Sequence, residues 1–298
     1  MKSSLPGIVF VNAGDPDLET TERILRQLDA LGVHGVELCV PYGNPFTDGE
    51  TIRRSHRRAL LNDVTLDDVT KMVRRIRDSL SLRLYLMADW SYTVGPIGFD
   101  AFICKAAECG VDGTLVHGLP PRMRVEYIAA SRRHDLPTVM TVYAGSTVET
   151  MDAALADCTG FVYAVAKYGV AGTAVSFDEV TLNAIRFVRD RTSKPVFVGF
   201  GVNTQQDVSA VMSTGVDGVV VGSAFVKVIE QHLDDAAHLP IAIDRFIANL
   251  RPVGAPLRLR HATNAPSPLR GKGDSGVNLN HHPLPNPSPL KGEGLSPD

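Results

Sequence analysis

Two carboxylates stand out by their surroundings. Glu37 interrupts an apolar run made of Val36, Leu38, Cys39 and Val40. A carboxylate in such a run is costly unless it is paired, neutral or chemically employed. If it faces a pocket, desolvation lifts its pKa toward the range where a general acid/base works. The alternative is a carboxylate turned to solvent or tied to an arginine. Asp48 is the one acid in the turn-rich stretch Pro41–Gly49 that follows. A second group of residues suits an anion. Glycine turns occur at Lys167–Gly172, Gly199–Asn203 and Val221–Ala224, the last opening a helical pattern through Val226 and Ile229. Glycines let backbone N–H groups approach an anion closely, and a helix N-terminus adds positive potential. Each turn alone is ordinary turn chemistry; the three together point to a phosphate ester.

These residues need a scaffold, and the pattern of the chain supplies one. Eight short apolar runs recur: Gly7–Asn12, Gly35–Val40, Arg83–Met87, Gly113–Val116, Thr138–Val142, Gly160–Ala164, Pro195–Gly199 and Gly218–Gly222. None alternates cleanly between apolar and polar, as expected of parallel strands covered on both faces. Between them lie helical spacings such as Ile24, Leu25, Leu28 and Leu31, or Met72, Val73 and Ile76. Eight β-α units predict an α/β fold, a single (β/α)8 TIM barrel. A doubly wound open sheet is the other architecture considered. Its Gly-x-Gly-x-x-Gly signature after the first strand is absent, since that turn reads Ala13-Gly-Asp-Pro16. In a barrel the chemistry sits at the C-terminal ends of the strands. That rule puts Glu37 near the end of strand 2, Asp48 in the loop behind it, and the glycine turns after strands 6, 7 and 8.

The 298 residues carry 44% hydrophobic and 21% charged side chains, enough for a large folded core. A net charge of −3 argues against a nucleic-acid surface. No apolar run approaches a membrane span, and Met1–Leu5 lacks the pattern of a secretory signal, so a cytoplasmic protein is expected. Cys39, Cys104, Cys109 and Cys158 have no paired spacing and read as reduced thiols. Residues 1–250 are expected to form the barrel. Residues 251–298 are rich in Pro, Gly and Ser and contain two echoing stretches, 265–273 and 286–294. Such a segment cannot bury enough apolar surface to offset its ordering entropy, and a disordered tail is expected. A proline-rich recognition tail is the functional alternative.

Over residues 8–235 the sequence resembles the tryptophan synthase α chain family. The resemblance rests on Asn12–Asp17, Val36–Tyr42, Asp48–Ile52, Gly110–Gly113, Leu119–Pro121, Gly160–Tyr163, Gly169–Gly172, Gly199–Gly201 and Asp217–Ser223. It implies a lyase that cleaves indole-3-glycerol phosphate to indole and glyceraldehyde 3-phosphate. It implies Glu37 and Asp48 as the catalytic pair, and Phe10 and Tyr163 as substrate-site aromatics. Gly172, Gly201, Gly222 and Ser223 would bind the phosphate. No metal or organic cofactor is implied, and the partner implied is a tryptophan synthase β chain.

Several positions depart from the family. Asn44 and Gly118 stand where the family usually has Asp, Ala171 where it has Thr, and Lys167 where Arg is common. The region of Asn44 contacts the β subunit in the family, so coupling to a β partner is open. No helix precedes strand 1, and a less well plugged barrel bottom is expected. His34, His56 and His134 show no metal spacing. His117 ends strand 4, with a structural or solvent-facing role preferred over a pocket role. Trp90 is a candidate pocket wall, with ordinary loop packing as the alternative. Two function classes remain. One is an indole-forming lyase, with a β partner or standing alone in specialised metabolism. The other is a diverged phosphate-ester-binding barrel with another activity or none.

Overall fold

The computed structural model describes residues 5–45, 47–143, 146–165, 179–199 and 201–251. Gly172, Lys167, Ala171 and the tail from residue 252 lie outside the described residues. Eight parallel strands follow one another: β1 Gly7–Asn12, β2 Gly35–Cys39, β3 Arg83–Asp89, β4 Gly113–His117, β5 Met140–Tyr143, β6 Val162–Val165, β7 Val196–Gly199 and β8 Gly218–Val221. They pair in the order β4-β3-β2-β1-β8-β7-β6-β5. The ring closes between β4 and β5 through a single bridge, Thr114 to Thr138. Thr114 N donates to Pro137 O and Val139 N to Thr114 O, both at 2.9 Å. On its other side Thr138 turns toward Thr159 and Gly160: its amide donates to the Thr159 hydroxyl at 2.9 Å, and its carbonyl accepts from Gly160 N at 2.8 Å. Strand 5 starts two residues later than its apolar run suggests, and β3 runs on to Asp89.

Helices separate the strands: α1 Leu18–Ala30, α2 Glu50–Leu60, α3 Leu66–Ile76, a one-turn α4 Gly95–Ile97, α5 Phe99–Cys109, α6 Arg124–Arg133, α7 Val148–Asp157, α8 Glu179–Asp190, α9 Gln205–Met212, α10 Ser223–Glu230 and α11 Leu239–Leu250. Their starts are chemically marked. Asp17 caps α1 by accepting from Thr20 N at 2.6 Å. Thr65 with Asp68, and Thr204 with Asp207, form capping boxes on α3 and α9. No described helix is long and apolar enough to cross a membrane.

Alternation along each strand divides the core in two. Val9, Val11, Val36, Leu38, Leu84, Leu86, Val196 and Val198 face outward and pack on the helices with Ile24, Leu28, Val69 and Val73. Ile8, Phe10, Cys39, Tyr85, Met87, Leu115, Val139, Phe161, Phe197 and Val220 fill the interior, with Tyr163 against them. At the bottom, Phe161 meets Tyr85 and Phe197 edge-on at 4.8 and 5.1 Å, and His34 stacks on Phe197 at 5.2 Å. Phe161 and Phe197 are at most 2% exposed. The bottom, expected to be poorly plugged, is filled by these rings. Gly218 makes room for them: a Cβ there would lie 2.3 Å from Pro6 O and 2.7 Å from the Phe197 ring.

Candidate active site

The opposite end of the interior carries polar groups. Glu37 lies on the same face of β2 as Cys39 and is buried. It borders Phe10 on β1 and Tyr85 on β3. Burial raises its carboxyl to about 7; His117 opposes the rise and Asp48 adds to it. A group poised there gives and takes a proton near neutrality with little bias.

Asp48 stands just ahead of α2, in a loop folded back over the strand ends. Burial raises its pKa too, against the pull of His117 and of the Tyr42 hydroxyl. Tyr42 Oη donates to Asp48 Oδ2 at 3.1 Å. The Tyr42 amide donates to His56 Nδ1 at 3.2 Å, which places the imidazole proton on Nε2, 3.9 Å from Asp48 Oδ2. Burial holds His56 neutral, with its pKa down to about 4.

Ion pairs hold α2 in place. Arg58 spans Asp15, at 2.7 and 2.9 Å, and Glu230 at 2.8 Å. Arg54 grips the same Glu230 with two bonds of 2.7 Å. Ser55 bonds Asp15 and accepts from Asn12 Nδ2 at 2.9 Å. The β1 turn, α2 and the end of α10 are thereby tied together, and Asp48 is carried on that unit. The two Arg partners pull the Glu230 carboxyl down to about 2.

The remaining sequence candidates among the described residues gather at the same mouth. Phe10 is buried, and Gly222 stands beside it, where a Cβ would approach Phe10 Cβ to 3.8 Å and meet nothing closer. Ser223 is the first residue of α10, behind Gly222. Gly201 follows β7 with φ +86, a conformation suited to glycine, and its carbonyl accepts from Asn203 Nδ2 at 2.9 Å. The Tyr163 ring lies over Gly199, where a Cβ would come within 2.3 Å of it. Burial raises the Tyr163 phenol, with Glu37 and Asp48 adding to the rise. Gly172 is outside the described residues.

The structure also places Trp90 and His117. Trp90 does not line the mouth: its ring stacks on Phe99 at 4.9 Å and packs against the outer core. The reason is local: β3 ends at Asp89, which caps the helical turn Trp90–Val94, and that turn carries the Trp90 ring against Phe99. His117 is partly exposed at the mouth, with its ring turned into the polar cluster there. It lies 3.0 Å from Asp89, 3.3 Å from Tyr42 Oη and 3.2 Å from Thr47 Oγ1. Counting by twos from Leu115 along β4, and from Tyr85 and Met87 along β3, would have found both His117 and Asp89.

The family model described as tryptophan synthase alpha chain matches residues 3–251. The tryptophan synthase alpha chain of Picosynechococcus is 38% identical over 223 residues, 74% of this chain and 83% of its own. That of Geobacter sulfurreducens is 36% identical over 247 residues, 82% of this chain and 91% of its own. The solved alpha-subunit of the Pyrococcus furiosus tryptophan synthase superposes with a TM-score of 0.75 at 31% identity, covering 84% of this chain and 98% of that one. Ancestry and barrel agree along the whole described length, and the chain belongs to the tryptophan synthase alpha chain family.

Proposed function

We propose that the protein is a cytoplasmic carbon–carbon lyase of tryptophan biosynthesis that cleaves indole-3-glycerol phosphate to indole and glyceraldehyde 3-phosphate. The observation that carries this reading is Glu37, buried at the mouth of the barrel and held at about 7 beside Asp48. In its protonated form Glu37 delivers a proton to indole C3. The carboxylate so formed removes the proton of the adjacent side-chain hydroxyl. The O–H electrons become the aldehyde C=O, the C–C bond breaks, and its electrons return to the ring. The indole N–H becomes positive during this step, and ionised Asp48 accepts it. Phe10 and Tyr163 enclose the ring. Gly172, Gly201, Gly222 and Ser223 hold the phosphate, an anchor remote from the breaking bond that positions the reacting end.

The partner proposed is a tryptophan synthase β chain. Asn44, in the partner-facing loop, has φ +48, a left-handed turn that asparagine tolerates. Purified protein assayed for indole release from indole-3-glycerol phosphate, alone and with a β subunit, tests the reading. Release in either condition is expected, with a rate increase on adding β if the loop still couples. No release in both conditions overturns the proposal.

A further inference from the structure

His117 has no part in the reaction as written above, yet it is the hub of the polar network at the mouth. The end of β4 pairs in register with the end of β3, so His117 faces Asp89 across the ladder. Asp89 is itself fixed: its Oδ1 accepts from Ser91 N at 2.8 Å and Tyr92 N at 3.1 Å. That leaves Oδ2 for His117 Nδ1 at 3.0 Å. Gly118, with φ +64, keeps the space beside Oδ2 open, since a Cβ there would come to 3.3 Å from it.

The proton directions follow from the partners. Asp89 only accepts, so Nδ1 carries the hydrogen. Tyr42 Oη spends its hydrogen on Asp48, so its oxygen faces Nδ1–H as an acceptor. Thr47 Oγ1 lies 3.2 Å from Nε2 and can donate to a neutral ring or accept from a charged one. Donation therefore runs outward from His117, to Asp89 on one side and through the Tyr42 hydroxyl to Asp48 on the other, and the network accommodates an imidazolium. Asp89 approaches His117 from β3, Glu37 from β2, Tyr42 and Asp48 from the loop, and His56 from α2.

We propose that His117, clamped by Asp89 and joined through the Tyr42 hydroxyl to Asp48, is a positioning residue whose positive charge keeps Asp48 ionised and sets the pH range in which the Glu37–Asp48 pair works. The purpose assigned to the charge rests on the lyase reading; the coupling itself does not. The three carboxylates raise the His117 pKa despite its partial burial, so the cation persists above the ordinary 6.5. In return His117 lowers both Asp48 and Glu37.

Two measurements test this. In the first, the His117 ring is titrated by NMR in the full chain, as wild type, Asp89→Asn and Asp48→Asn. The wild-type ring should titrate above 6.5 and fall by about one unit in Asp89→Asn, with a smaller fall in Asp48→Asn. Titration at or below 6.5, or values unmoved by both substitutions, overturns the proposal. In the second, indole release is followed against pH in His117→Asn, which keeps an N–H toward Asp89 and Tyr42 but no charge. Asp48 and Glu37 should both titrate higher, moving both limbs of the kcat profile up by about one unit. On the acid limb the rate at a given pH should fall about tenfold, with KM within about twofold. A uniform loss with unmoved limbs means a structural role only and overturns it. If wild type releases no indole, the lyase reading fails by itself, and the NMR titration still decides the coupling. That titration also decides if His117→Asn does not fold.

Discussion

Glu37 carries opposite demands from stability and chemistry. In an unfolded chain it titrates near 4.5, and in the native barrel near 7. Between those values the native state binds the extra proton, so stability falls as pH rises through that window. Glu37→Gln keeps the shape without the charge. It should match wild type in denaturant unfolding at pH 4 and exceed it by about 2 to 3 kcal/mol at pH 8.5. The same variant should release no indole, since the amide transfers no proton. Wild-type turnover in Glu37→Gln would remove it from the mechanism. Asp48→Asn should be severely impaired yet still bind substrate, because the amide keeps a hydrogen-bonding shape and loses the charge. Normal turnover there would show that the N–H needs no anion opposite it.

At the scale of elements, α10 joins two jobs. Its first turn, behind Gly222, is the proposed phosphate seat, where unpaired N–H groups and the helix dipole favour a dianion. Gly222→Asp should weaken glycerol phosphate and indole-3-glycerol phosphate strongly in calorimetry and indole only slightly. Equal weakening of all three would indicate a collapsed pocket rather than a lost anion site. Its last residue, Glu230, holds α2 through Arg54 and Arg58. Glu230→Gln should lower unfolding free energy by about 1 to 2 kcal/mol, as a partly buried ion-pair partner is lost. Because α2 carries the Asp48 loop, kcat should fall with it. A full loss of stability with unchanged kcat would show that the loop holds its position without α2.

At the scale of the whole chain, we propose that the barrel carries the function and the tail adds nothing to it. We expect residues 1–250 to suffice. Truncation after residue 251 should leave the thermal midpoint and indole release nearly unchanged, because the segment beyond lacks a core-forming pattern. A drop of many degrees would mean that part of the tail covers the barrel. The charge divides as well, since the six basic and three acidic residues of 251–298 leave −6 on the rest.

The strands were legible because each is short, apolar and bounded by turn residues, and every one of the eight lies within two residues of its apolar run at either end. Glu37 was legible because a charge inside an apolar run is conspicuous by itself. The glycine at 222 was legible from its place before a helix. Asp89, Tyr42 and Thr47 were not singled out, because none is unusual among its sequence neighbours, and His117 was noticed only as the residue that ends strand 4. They become a site only when parallel pairing sets Asp89 opposite His117 and the loop after β2 folds over them. Trp90 misled for a related reason: a ring near the mouth in sequence is carried outward by the helical turn that begins where β3 ends. Local chemistry thus decided which residues could act and which segments could be strands. Register, alternation and the fold of one loop decided which polar groups share a proton network, since hydrogen bonds act over about 3 Å and sequence separation says nothing about that distance.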